Sequence, residues 1–406
     1  MKGYPYAFHI ALDGNGVNGL EGLAGVCLFL YDPEADTYAY KIAYFDGIAA
    51  GHAVSLNPSG TVGFLGNAGQ HLLFYDAVTL AELDRISTLR FEPAPTSLQG
   101  STHLIWLSDR EFMTPIGENF YRFSLDDLTD PKRLGPHRVK LPHAMKITGS
   151  GRYICYGSMD SPAYGRDGEA RHVGVWDLET DEASVVELPA TCWHVVAAPG
   201  SDVFYAVSFR VEPTDHVDWH DWAMAFKKEY VFEIDAAQGQ VLRHWAGGRE
   251  IPAHINSDLT LSDTEVIFCN GGSQSIVCID RETLSSFRII DERPDLEALL
   301  QRPREVVTQT YDALARANVF GNSNHVLGAL RVSRFSLLDS VYAAQLCADQ
   351  SLLFTANRGL NHITVYDYPD ATVRLRVDMP PIQDFQPFIG PLADRRLGFH
   401  HSVVLG

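Results

Sequence analysis

One short pattern recurs along this chain and limits its folds more than any other feature: a strand ending in an apolar residue, then aspartate, then a tight turn. It stands at FLYDPEAD (Asp32), LFYDAVT (Asp76), RFSLDDL (Asp126), GVWDLET (Asp177), FEIDAAQG (Asp235), CIDRETL (Asp280) and TVYDYPD (Asp367), with successive gaps of 44, 50, 51, 58, 45 and 87 residues. Aspartate suits such a turn because its carboxylate accepts backbone N–H groups two residues on. Ahead of most copies an alternating strand breaks at a small-residue turn and resumes, as in AVSLNPSGTVGFLGN, AMKITGSGRYICYGS and AAQLCADQSLLFTAN. Each repeat is therefore two hairpins, and four antiparallel strands every 40 to 50 residues mark a β-propeller.

Seven copies mean seven blades. The chain opens on YAFHIALD, which reads as a second strand, and closes on HSVVLG, which reads as a first strand. The C-terminal strand is expected to become the innermost strand of the N-terminal blade, closing the ring and removing a free sheet edge. The expectation is an all-β, seven-bladed propeller spanning residues 1–406 as a single domain, with a helical and loop insertion at about 291–338 between blades 6 and 7. This grammar resembles the seven-bladed propellers with YVTN-type repeats, a group that includes selenium-binding proteins, lactonase-like propellers and dehydrogenase heavy chains.

Aligning the blades on their first turn stacks histidines at the start of the innermost strand: His52, His143, His194, His254 and His401. From His52, His143 and His194 to the residue after the turn is eight positions, and from His254 it is nine, so that blade carries a one-residue irregularity. The third blade offers His103, one position out of register, and the seventh offers Tyr342. Of the adjacent His400 and His401, register favours His401 for the channel, since neighbouring strand residues face opposite ways. A single histidine here would merely cap a strand. Five at one central position among sixteen in the chain point to a shared cause, and converging imidazoles suit a divalent transition metal: Fe(II) is favoured, with Cu or Zn as alternatives.

Long connections fall on the face where inner strands begin, at residues 14–25, 160–172, 210–226, 294–335 and 379–399, while turns on the other face are minimal. Phe385, Phe388, Phe399, Trp219, Trp222 and Phe226 are expected to contribute to an apolar lid over the histidines, and Leu296, Leu299, Leu300, Val306, Val307 and Tyr311 recur at helical spacing. The insertion HVDWHDW (His216, Asp218, His220, Asp221) has the wrong order for a metallo-β-lactamase-like motif and reads as a polar or substrate-facing loop. Asn256 and Asp258 near an inner strand keep a hard-cation site open as an alternative. No serine-hydrolase elbow, P-loop or dinucleotide fingerprint stands in its required strand–turn–helix context.

A formal charge of −19 argues against nucleic-acid or anionic-membrane partners. No apolar run is long enough for a signal peptide or membrane span, so the chain reads as cytoplasmic, without membrane insertion, and acting on a small molecule. The six cysteines lack a C-x-x-C motif and read as buried thiols, with a Cys269–Cys278 bridge as the alternative. An all-imidazole axial site is similar to that of carotenoid cleavage oxygenases, which hold non-haem iron by four histidines in a propeller. That resemblance implies an iron or copper oxidase or oxygenase acting on a small apolar or aromatic molecule. A Lewis-acid lactonase, lyase or isomerase using the same pocket, and a non-enzymatic interaction propeller, are the alternatives.

Overall fold

A computed structural model of the chain describes residues 3–14, 22–49, 51–95, 100, 102–159, 171–210, 230–246, 256–270, 275–292, 341–386 and 396–406. Among these residues the strands form seven four-stranded antiparallel sheets. Blade 1 joins Tyr6–Leu12, Leu23–Asp32 and Thr37–Ala49 to the C-terminal strand Phe399–Leu405, which pairs antiparallel with Tyr6–Leu12. The remaining blades run in chain order, each from an inner strand outwards or, in blade 3, with the same order read from the short strand Ile105–Trp106. Their inner strands are Gly51–Leu56, Ile105–Trp106, Pro142–Ile147, Thr191–Ala197, Asn256–Leu261 and Val341–Leu346. The expected ring and its closure by the C-terminal strand are thus present.

Five of the seven recurring aspartates work as the sequence suggests. Asp32, Asp76, Asp177, Asp235 and Asp280 each accept backbone N–H groups two or three residues ahead through Oδ1, with distances from 2.7 to 3.1 Å. Asp126 departs from the pattern: it pairs with the exposed Arg110, and the neighbouring Asp127 takes the Thr129 N–H. On the inner hairpins, Gly60, Gly151 and Gly200 have φ of +66°, +78° and +68°, a region glycine reaches without the strain a side chain would add.

The core is cut into seven apolar clusters, one between each pair of neighbouring blades among the described residues. The cluster between blades 7 and 1 unites Phe8, Phe29 and Tyr31 with Phe354 and Phe399. Alternation explains this arrangement: each strand sends its two sets of side chains to the two adjacent blades, so every blade is buried on both faces.

One expectation needs correction here, and the reading of the cysteines as buried thiols holds. Phe399 is fully buried in the core between blades 7 and 1, and Phe385 packs against that same core, so both hold blades together and neither forms a lid. All six cysteines are buried free thiols, and no Cys269–Cys278 bridge forms: cross-strand pairing sets Cys269 opposite Ile276 and Cys278 opposite Ile267. Phe388, Trp219, Trp222, Phe226, the HVDWHDW segment and the 294–335 helical reading lie outside the described residues, as does nearly all of the 291–338 insertion. No helix among the described residues is long and apolar enough to cross a membrane.

Candidate metal centre

Every inner strand with a full complement of pairs carries a register break near its start. It falls between Gly51 and Ala53, His143 and Lys146, Cys192 and His194, Ser257 and Leu259, and Val341 and Ala343, and on blade 1 opposite the stretch Ile10 to Leu12. A β-bulge inserts a residue that cannot join the ladder and re-aims side chains. Six such breaks at matching positions turn the sheet alternation into one cluster at the axis.

That cluster holds six histidines. His52 stands against His103, His143, His400 and His401, with ring centroids 5.1, 5.1, 4.6 and 5.2 Å away. His143 lies 4.1 Å from His103 and 4.9 Å from His194, and His194 lies 4.8 Å from His401. One ring nitrogen each of His52, His143 and His401 falls within 4.8 Å of the other two. Of the five histidines expected from sequence, four therefore meet, while His254 is outside the described residues. Blade 6 places Asp258 at the bulge position that His52 occupies in blade 2. His103 joins the cluster despite its displaced register. The choice between His400 and His401 also needs correction: both rings contact His52, because the bulge opposite Ala11 breaks the alternation that would have turned one away.

Local packing fixes two of the rings. His143 Nδ1 donates to the Trp193 carbonyl at 3.0 Å, and His401 Nδ1 donates to Asp258 Oδ1 at 2.8 Å. Both partners can only accept, so each Nδ1 carries a proton, which leaves Nε2 as the ring nitrogen available to a metal. Glycine makes the first of these contacts possible. Gly157, paired with His143, lies so near the next blade that a Cβ would stand 2.1 Å from the Trp193 oxygen. Gly66 repeats the device beside the Thr102 carbonyl, just before His103, where a Cβ would stand 1.9 Å away. The glycines ending GFLGN and ICYGS were the visible signal for this close approach.

His52 Nε2 and His143 Nε2 are 2.9 Å apart, so the two nitrogens share a proton or both give lone pairs to one ion. Metal–nitrogen bonds of about 2.0–2.1 Å put adjacent ligand nitrogens about 3 Å apart, which matches this pair. Meanwhile His103 Nε2, His194 Nε2, His401 Nε2 and His400 Nδ1 are buried with no hydrogen-bond partner among the described residues. Each such atom costs about 1–3 kcal/mol. Four in one cluster form a donor set suited to a cation.

Burial holds His52, His103, His143, His194 and His400 well below the usual imidazole value, and the fields of neighbouring rings add to the depression. The rings are therefore neutral at pH 7, the state a metal needs. The sign of the pH effect follows. As pH falls below about 6.5, unfolded histidines take up protons that the folded cluster refuses, so stability declines with acidity. Each ring contributes up to about 1.4 kcal/mol per pH unit until its folded value is reached. Urea unfolding of metal-depleted protein between pH 7.5 and 5.5 is expected to show uptake of several protons on unfolding. A stability independent of pH over that range would contradict the neutral, desolvated cluster.

No protein-family model matches the chain, and no curated protein does. Similar solved structures include a putative 6-phosphogluconolactonase from Bacteroides fragilis, with a TM-score of 0.58 and 10% identity over 100% of this chain and 99% of that one. The dihydro-heme d1 dehydrogenase NirN is similar at a TM-score of 0.52 and 11% identity, over 92% of this chain and 73% of that one. Kuenenia stuttgartiensis hydrazine synthase gives a TM-score of 0.52 at 10% identity, over 81% and 86% of the two chains. At these identities the likeness shows the propeller fold, and the functional argument rests on this chain's own residues.

Proposed function

We propose that the protein is a metal-dependent enzyme whose ion is held at the axis by His52, His143 and His401, with His194 and His254 completing the set, and that the ion is iron or copper serving oxidation of a small apolar or aromatic molecule. The observation that carries this reading is the group of buried, unpartnered imidazole nitrogens around the converging triad. A fit to a metal is chemical as well as geometric: burial keeps His52, His143 and His194 neutral, His143 and His401 have their far nitrogen anchored, and nitrogen donors suit Fe, Cu and Zn. An ion bound by neutral imidazoles keeps its dipositive charge and supplies Lewis acidity, to which iron or copper adds one-electron chemistry.

The chain's own contributions follow from position. His143 and His401 are held in one tautomer and orientation by the Trp193 carbonyl and Asp258. His103 and His400 sit beside the triad, where their ring nitrogens serve as further ligands or as hydrogen-bond partners for a molecule at the ion. Tyr342, with its ring 4.4 Å from His400 and 5.1 Å from His401, walls the cluster on the blade 7 side. Burial pushes its phenol above the usual tyrosine value, so it remains a neutral donor at pH 7.

Elemental analysis of gently purified protein tests the proposal. Near-stoichiometric iron or copper supports oxidative chemistry. Zinc would redirect the assignment to a Lewis-acid lactonase, lyase or isomerase. Failure to retain iron, copper or zinc, even after reconstitution under reducing conditions, would overturn the metal centre and favour a propeller that presents this face to a protein.

A further inference from the structure

Asp258 is 5% exposed, and its one ion-pair partner among the described residues is His401. Its backbone has φ of +25°, a strained value for an aspartate, at the bulge position that His52 occupies in blade 2. Strain of that kind persists only where surrounding contacts impose it. Here the contacts divide sharply between the two carboxylate oxygens. Oδ1 accepts from His401 Nδ1 at 2.8 Å. Oδ2 accepts from Ser402 N at 3.2 Å, Ser402 Oγ at 2.7 Å, Ala344 N at 3.3 Å and Gln345 Nε2 at 3.3 Å.

We propose that Asp258 is a positioning residue: its carboxylate locks His401 in the Nδ1–H tautomer and thereby turns the unpartnered Nε2 lone pair of that ring to the axis as a metal ligand. The tautomer stands on the contacts just given; its use by a metal rests on the proposed function. Two physical arguments support it. Imidazole ligands of metals generally donate their far N–H to a carboxylate or carbonyl, which raises ligand basicity and fixes the ring. A buried carboxylate whose one ion-pair partner among the described residues is an imidazole is also costly, and a divalent ion across that ring would offset the cost.

The asymmetry of the two oxygens makes the proposal sharp. In Asp258→Asn the amide oxygen is favoured on the side of the four donors, because an NH2 group there would face the backbone N–H groups of Ser402 and Ala344, which can only donate. The NH2 then falls opposite His401 Nδ1, which must accept. The ring proton moves to Nε2 and points at the ion. A near-isosteric change should therefore remove a ligand without emptying any space.

The test uses full-length protein labelled with 15N-histidine. Long-range 1H–15N spectra of the metal-free wild type are expected to show His401, identified by the signal missing in His401→Gln, as the Nδ1–H tautomer, and Asp258→Asn is expected to switch it to Nε2–H. Cobalt(II) titration followed in the visible region should then show a 10–100-fold loss of affinity in Asp258→Asn, with no further loss when the change is made in the His401→Gln background. An Nε2–H tautomer in the wild type would overturn the proposal, as would an equal loss of affinity in both backgrounds. If Asp258→Asn does not fold, the wild-type tautomer still decides. If the wild type binds no cobalt, the proposed function falls, while the tautomer measurement continues to judge the role of Asp258.

Discussion

Replacing His143 with alanine is expected to abolish metal binding at the proposed centre while leaving the propeller folded. His143 is fully buried at the centre of the cluster, touches His52, His103, His194 and His401, and offers an Nε2 fixed by the Trp193 carbonyl. Loss of an outer partner of a metal ligand costs about 10–100-fold in affinity, so loss of the ligand itself should cost at least about 100-fold. Stability of the metal-free protein should move far less, because a desolvated ring in contact with other rings is removed along with its contacts to the Trp193 carbonyl and His52 Nε2. Metal content by mass spectrometry and the urea midpoint of the metal-free form, measured together, separate the two effects. A large fall in stability with unchanged metal content would identify His143 as a structural cap.

Gly157→Ala should damage both stability and the centre. The new Cβ would stand 2.1 Å from the Trp193 oxygen, 2.5 Å from the Trp193 carbonyl carbon and 2.8 Å from the Cys192 oxygen. All three are backbone atoms of the next blade's inner strand, so no side-chain rotation relieves the overlap. Overpacking of this kind costs about 1–3 kcal/mol, and an encounter with backbone alone belongs at the upper end, about 3 kcal/mol. Moving that strand also withdraws the carbonyl that holds His143, so metal affinity should fall in parallel. Gly151→Ala provides the contrast: its φ of +78° makes alanine strained, but nothing lies within 4 Å, and the turn is on the opposite face. It is expected to cost about 1 kcal/mol and to leave metal content untouched. Equal metal loss in both variants would show that the Trp193 contact has no special role.

The fold was legible because its signals are local. An Asx turn is made by one aspartate and the two or three residues after it, so Asp76 or Asp280 announces its turn without reference to the rest of the chain. Strand alternation and the unmatched first and last strands supplied the blade count and the closure. The centre was legible only in outline. His52, His143, His194 and His401 could be stacked by counting from the turns, but a bulge is decided by two strands together, and counting along one of them does not reveal it. For that reason His400 looked excluded, His103 looked displaced, and the place of Asp258 beside His401 was not anticipated. Phe385 and Phe399 were misread for a related cause: their segment resembles an apolar roof in sequence, yet these two rings pack against the core between blades 7 and 1.

The closing strand also sets when the centre can exist. His52 and His143 enter the chain early, and the ring that completes their triad lies on Phe399–Leu405, whose partner is the first strand, Tyr6–Leu12. Contacts of such sequence separation form late, because the entropy of closing so long a loop must be met before they stabilise anything. A nascent propeller with most of its blades in place would thus hold an incomplete ligand set, and metal capture would report the final docking event. In refolding experiments, the rate at which the protein gains metal should follow the slowest folding phase and not the metal concentration.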